Sequence, residues 1–232
     1  MLRRVIAGLA LLALFWTPCC YAAGGPGALA GKLILTDPVK HIKVNQQAVV
    51  WLARLDEPTP VAPLKGATLT QQNKKFSPHL LAVTVGTLVA FPNTDPFFHN
   101  VFSIYQGKPF DLGLYESGST RSVRFVNPGV SYIFCNIHPE MSAIVVVLTT
   151  PYFAVTDTSG AFRIEGLPVG RYELNIWYEG ASEQQLRALS QKLNIGSKEY
   201  DVPTIEAFSS GPQKEHKNKY GESYHTRDPY KF

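Results

Sequence analysis

Disulfide chemistry is almost absent from this chain. Its 232 residues include three cysteines, and two of them, Cys19 and Cys20, adjoin an apolar N-terminal run. Charge is sparse too: Asp, Glu, Lys and Arg make up 17% of the residues, and the net charge is +4. That balance is too weak and too evenly spread for a nucleic-acid surface. Past the N-terminal run, no stretch is apolar enough to span a bilayer. The sequence holds no internal repeat, no Gly-x-Ser-x-Gly elbow, no phosphate-cradling glycine loop and no carboxylate pair suited to hydrolysis. His-x-His pairs are missing as well. What it does hold is 45% apolar residues, 18 Gly, 17 Pro, 11 Tyr and 13 Phe. Frequent turns between aromatic strands predict an all-β protein.

The N-terminus reads as an address. Arg3 and Arg4 precede an apolar run from Val5 to Trp16, followed by small residues. This is the pattern of a signal peptide over residues 1–22, cleaved after Ala22. An uncleaved anchor and a lipoprotein at Cys19 or Cys20 are the alternatives, although Trp16-Thr-Pro-Cys19 lacks the usual small-residue run. The expected destination is a bacterial periplasm, with no transmembrane segment in the mature chain. Cleavage removes two arginines and no acid, taking the net charge from +4 to +2. It also leaves Cys135 as the sole thiol. Such a residue cannot form an internal disulfide, so it is free, intermolecular or metal-bound.

Residues 31–55 predict two strands, around Gly31–Leu35 and Ala48–Leu52. Residues 56–63 carry three prolines and read as a linker. Across residues 64–150 short strands recur between turn signals: Ala67–Gln71, Leu81–Val85, Thr87–Phe91, Asn100–Ser103, Ser122–Phe125, Ser131–Cys135 and Ala143–Leu148. That density predicts a sandwich. Residues 151–207 begin strand, turn, strand, turn, strand, with Asp157-Thr-Ser-Gly160 and Leu167-Pro-Val-Gly170 as the turns. In Arg171–Tyr178, Tyr172, Leu174, Ile176 and Tyr178 alternate with Arg171, Glu173, Asn175 and Trp177. Residues 181–194 predict a short helix with Leu186, Leu189 and Leu193 on one face. Residues 208–232 read as a polar, Tyr-rich tail.

The chemistry concentrates in Phe134-Cys-Asn-Ile-His-Pro-Glu-Met141, a loop between two predicted strands. Cys135, His138 and Met141 fall within seven residues. Upstream, His99 opens a strand. Two imidazoles and a thiolate in a trigonal set, with a weak axial Met, form the blue-copper arrangement. Thiolate and thioether suit the reduced ion, and imidazole serves both oxidation states. A buried plain thiol and a zinc site are the rivals, but Met is a poor zinc ligand. The other histidines, His41, His79, His216 and His225, lack ligand-like spacing and read as solvated side chains.

Residues 66–148 resemble the small cupredoxins, especially amicyanin and pseudoazurin. The shared elements are Phe76-x-Pro78, Val85-Gly-Thr-Leu-Val-Ala-Phe-x-Asn93, His99-Asn-Val101, Pro128-Gly129 and Cys135-x2-His138-Pro-x-Met141. The resemblance implies a Greek-key sandwich with one type 1 copper held by His99, Cys135, His138 and Met141. It also implies that His138 is the exposed ligand through which electrons pass. Asn100 matches a position that ties the two ligand loops together. Asn136 is placed to cap the loop, and Pro139 to restrict it. Phe97, Phe98, Pro139 and Met141 would form an apolar rim for a redox protein docking near His138, or a simple shield for the metal.

Thr156–Phe162 with Gly166–Leu174 resembles the carboxypeptidase-regulatory or transthyretin-like β-sandwich. In that reading residues 31–55 supply its opening strands and the cupredoxin is inserted between its halves. The alternative assigns those strands to the cupredoxin sheet. Such modules are structural or adhesive. The expected function is therefore an exported single-electron carrier rather than an enzyme, since no ligand position is left open for substrate. The alternative is an envelope module for copper storage, delivery or sensing, with the second sandwich binding a partner.

Overall fold

The computed structural model of the chain describes residues 26–104, 109–209, 211 and 218–220. The signal-peptide reading of residues 1–22 lies outside them. So does most of the tail, including His216, Tyr224, His225, Tyr230 and Phe232.

The described residues are all-β apart from one short helix. In chain order they form β1 (Gly27–Thr36), β2 (Ala48–Arg54), β3 (Thr70–Gln72), β4 (Lys75–Ser77), β5 (Leu80–Thr84) and β6 (Thr87–Pro92). β7 (His99–Ser103), β8 (Phe110–Tyr115), β9 (Thr120–Phe125), β10 (Gly129–Phe134) and β11 (Ser142–Leu148) follow. The remainder are β12 (Phe153–Val155), β13 (Ala161–Leu167), β14 (Gly170–Tyr178), α1 (Glu183–Leu189), β15 (Gln191–Ile195), β16 (Glu199–Asp201) and β17 (Ile205–Phe208).

One sandwich has a five-stranded sheet, in the order β5-β11-β10-β7-β8, facing the β6-β9 pair. Its core includes Leu69, Phe91, Val101, Phe125, Ile133 and Val145, together with Cys135 and Met141. A second sandwich stacks sheet β12-β2-β14-β15 on a sheet built from β1 with β13, β16 and β17. Leu29, Leu33, Val50, Leu52, Tyr172, Leu174 and Ile176 fill it. Among the described strands, β1 and β2 pair with β12–β14, β16 and β17 and with none of β3–β11. Gly160 makes the β1 contact possible. Its φ is +87°, and a Cβ there would meet the Leu33 carbonyl oxygen at 2.0 Å. Only glycine fits so close an approach.

The two sandwiches pack on each other through a third core. Side chains alternate across a strand, so Ala143, Val145 and Val147 of β11 face the first core while Ile144, Val146 and Leu148 face outward. The outward set meets Leu80 and Ala82 of β5, Val49 of β2 and Trp177 of β14. Burial on both faces explains why Ala143–Leu148 is an unbroken apolar run rather than an alternating one.

Several local expectations are corrected. Trp177, on the opposite face of β14 from Tyr172, Leu174 and Ile176, is covered by the other sandwich. The helix stops at Leu189, and Leu193 lies in β15 opposite Tyr172. Its spacing from Leu189 suits a helical turn, but Gln191–Ile195 also alternates, and pairing with β14 decides for strand. Ser182 starts the helix with a capping box to Gln185. β4, β8, β16 and β17 are additional strands, and the strand expected over Ala67–Gln71 is β3, which forms a hairpin with β4. Asn73 and Lys74 form the hairpin's two-residue turn, both with φ of 55°, as a type I′ turn requires.

Candidate metal centre

Two loops at one end of the first sandwich build the site. Residues 93–98 connect β6 to β7, and residues 135–141 connect β10 to β11. The second loop is closed by its own backbone: Cys135 N–H donates to the Met141 carbonyl at 3.2 Å, and Met141 N–H donates to the His138 carbonyl at 3.0 Å. Cys135 leaves β10 pointing into the core, while His99 starts β7, every residue of which is buried.

This arrangement brings three donors together. Cys135 Sγ lies 3.8 Å from His99 Nδ1 and 3.7 Å from His138 Nδ1, and the two Nδ1 atoms are 3.1 Å apart. Ordinary bonds to one ion, about 2.0–2.1 Å from imidazole and about 2.3 Å from thiolate, put sulfur and nitrogen about 3.7–3.8 Å apart at trigonal angles. The three side chains could therefore hold one metal ion without rearrangement. His99 and Cys135 are fully buried, and His138 is half-buried. The thioether-bearing Met141 is fully buried in the same core as Cys135. It therefore cannot contribute to a surface rim. Phe98, at 54% exposure, and Ile137, at 45%, are exposed apolar residues beside the site, as is Pro139. Phe97 instead turns its ring inward, with its centroid 5.2 Å from that of His99 and 5.7 Å from that of His138.

Protonation favours metal capture. Burial pushes the His138 imidazole below the ordinary value, and the neighbouring His99 and Lys74 add to this. A neutral imidazole is the ligating form. Asp95, a residue the motif reading missed, sets the tautomer of the other imidazole. His99 Nε2 donates to Asp95 Oδ2 at 2.7 Å. The proton is thus on Nε2, and the Nδ1 lone pair faces Cys135. Asp95 is itself buried, and burial disfavours its charge. The N–H of Lys74, the His99 ring and the N–H of Asn73 outweigh that, holding the carboxyl below its usual range. Its sequence signal was slight: an acid four residues before the histidine, in a segment that reads as a turn.

Around the donors, Asn100 Oδ1 accepts from Asn136 N–H at 3.3 Å, which joins the two ligand loops. Pro139 is exposed on the second loop. His79 is not simply solvated. Its Nδ1 bonds the Ser142 carbonyl at 3.1 Å, and its Nε2 bonds Glu179 of the second sandwich at 2.9 Å. His41 is exposed.

No protein-family model and no curated protein matches the chain. Solved structures do. A purple cupredoxin from Nitrosopumilus maritimus is 28% identical over 35% of this chain and 99% of its own, with a TM-score of 0.33. A reduced amicyanin mutant is 24% identical over 38% of this chain and 92% of its own, with a TM-score of 0.34. A Cu-containing nitrite reductase from Thermus scotoductus SA-01 is 24% identical over 51% of this chain but 28% of its own, with a TM-score of 0.35. The structural neighbours are cupredoxins.

Proposed function

We propose that the chain is a mononuclear type 1 copper protein that carries single electrons between partners. The convergence of two Nδ1 atoms and one cysteine sulfur at one end of a sandwich carries this reading. His99, Cys135 and His138 would hold the ion, with Met141 as axial ligand. Copper there would supply a one-electron couple. The protein's part is to keep the donors in one arrangement in both oxidation states. Sheet hydrogen bonds, the Asp95–His99 contact and the Asn100–Asn136 bond all serve that end. Half-exposed His138 gives an electron a short route to a docked protein, with Phe98 and Ile137 as apolar contacts beside it.

A delivery module instead needs a way out for the ion. Burial of His99 and Cys135 favours movement of electrons over movement of copper. We also propose that residues 64–150 form a cupredoxin unit inserted into a second sandwich, for which residues 31–55 supply the opening strands. The insertion rests on the pairing of β1 and β2 with strands after residue 150. Export with cleavage near Ala22, to a periplasm, completes the proposal.

The test is to add Cu(II) to residues 23–232 and record the visible spectrum, with Cys135→Ser as control. An intense band lost in the control is the expected result. A colourless or weakly absorbing complex would overturn the electron-carrier reading.

A further inference from the structure

The tail returns to the ligand loop. Lys219 N–H donates to Asn136 Oδ1 at 3.1 Å, across 83 residues of sequence. Lys219 Nζ donates to Asp111 Oδ2 at 2.8 Å. The other oxygen of Asp111 accepts from Asn100 Nδ2 at 2.7 Å, and Asn100 Oδ1 accepts from Asn136 N–H. The four residues therefore close a ring: Asp111, Asn100, Asn136, Lys219 and back to Asp111. Two members of the ring are bonded directly to proposed ligands, since Asn100 follows His99 and Asn136 follows Cys135.

The ring has a definite logic. An asparagine amide presents an acceptor on one side and donors on the other. By taking a hydrogen from Asn100 Nδ2, Asp111 turns Oδ1 toward the Asn136 N–H. Asp111 is additionally aimed by the Gly113 N–H at 2.8 Å. Its charge and the second acceptor, Asn136 Oδ1, are then both satisfied by one residue, Lys219. Burial opposes the Asp111 charge, but Lys219, Gly113 and Asn100 hold its carboxyl below the usual value, and Asp111 raises the Lys219 ammonium in return. The side chains of Lys219 and Asp111 are 26% and 39% exposed, so the ion pair alone contributes little. Its consequence is positional.

We infer that Lys219 is a positioning residue of the metal centre, a clasp by which the C-terminal segment locks the Cys135–Met141 loop to β7 and β8. The inference rests on the reading of that loop as copper-binding, but its main test does not. Hydrogen exchange is measured on the metal-free full chain for the wild type, Lys219→Pro and Lys219→Arg. Proline removes both the N–H and the ammonium, whereas arginine keeps both donors. The tail follows the last strand, so the substitution leaves both sandwich cores intact.

Loss of the clasp accelerates exchange at the amides of Cys135, Asn136 and Met141 about tenfold in Lys219→Pro. Exchange in β11 and β14 stays unchanged, and Lys219→Arg matches the wild type. Equal loop exchange in all three proteins would overturn the inference. With copper bound, Lys219→Pro moves the reduction potential and broadens the Cu(II) spectrum, and Lys219→Arg restores both. If the wild type binds no copper yet loop exchange responds, the clasp stands and the electron-carrier reading falls. If copper binds and exchange does not respond, the reverse holds.

Discussion

Replacing Asp95 with asparagine changes one atom type and leaves three donors competing for one oxygen. Asp95 is 4% exposed. Its carboxylate accepts from Asn73 N–H at 2.6 Å, Lys74 N–H at 2.9 Å and His99 Nε2 at 2.7 Å. An asparagine with its oxygen in the Oδ1 place keeps the Asn73 bond, loses the Lys74 one and turns its NH2 toward His99. That contact is satisfied only when Nε2 becomes an acceptor, which moves the ring proton to Nδ1, the atom facing Cys135. The opposite rotamer keeps the His99 and Lys74 bonds and leaves the Asn73 N–H without its acceptor. Each hydrogen bond to a charged partner contributes about 1.5–3 kcal/mol. Asp95→Asn should therefore destabilise the metal-free protein by about 2–4 kcal/mol and weaken copper binding by about 10–100-fold. Urea unfolding and titration against a chelator of known copper affinity read the two effects separately. An unchanged unfolding midpoint together with unchanged affinity would refute the tautomer argument.

The His79–Glu179 contact should make stability depend on pH. Glu179 raises the His79 imidazole above its ordinary 6.5. The stabilisation is therefore complete below that ordinary value and lost as pH rises through the raised one. Half the His79 side chain is exposed, which limits the effect to about 0.5–1 kcal/mol. His79→Gln should cost more at about pH 5 than at about pH 9; a cost independent of pH in denaturant unfolding would sink the assignment. Trp177→Ala should remove the largest buried side chain of the third core, cost about 3–5 kcal/mol and split a single calorimetric transition into two. A single transition with a loss under about 1 kcal/mol would show that the third core does not couple the units.

Much of the site was legible because its donors are chemically rare here. Cys135 is the only thiol past residue 20, and the spacing to His138 and Met141 places all three on one loop. The strands of the first sandwich were legible where side chains alternate or where both faces are covered, as in β11. β8 was not, because Phe110-Asp-Leu-Gly-Leu-Tyr115 contains two strand-breaking types, and pairing with β7 overrides them. The reach of the helix was misread because Leu193 suits either period.

Local spacing by itself determined the short Cys135–His138–Met141 loop and the all-β class, since these depend on residues a few positions apart. Tertiary structure alone decided the rest. It placed Trp177 between two sandwiches, aimed a turn 21–22 residues upstream at Asp95, and brought Lys219 back to Asn136. Each of these joins ordinary residue types far apart in sequence. A hydrogen bond or a packed face of that kind carries no local pattern, and only the folded chain supplies its partner.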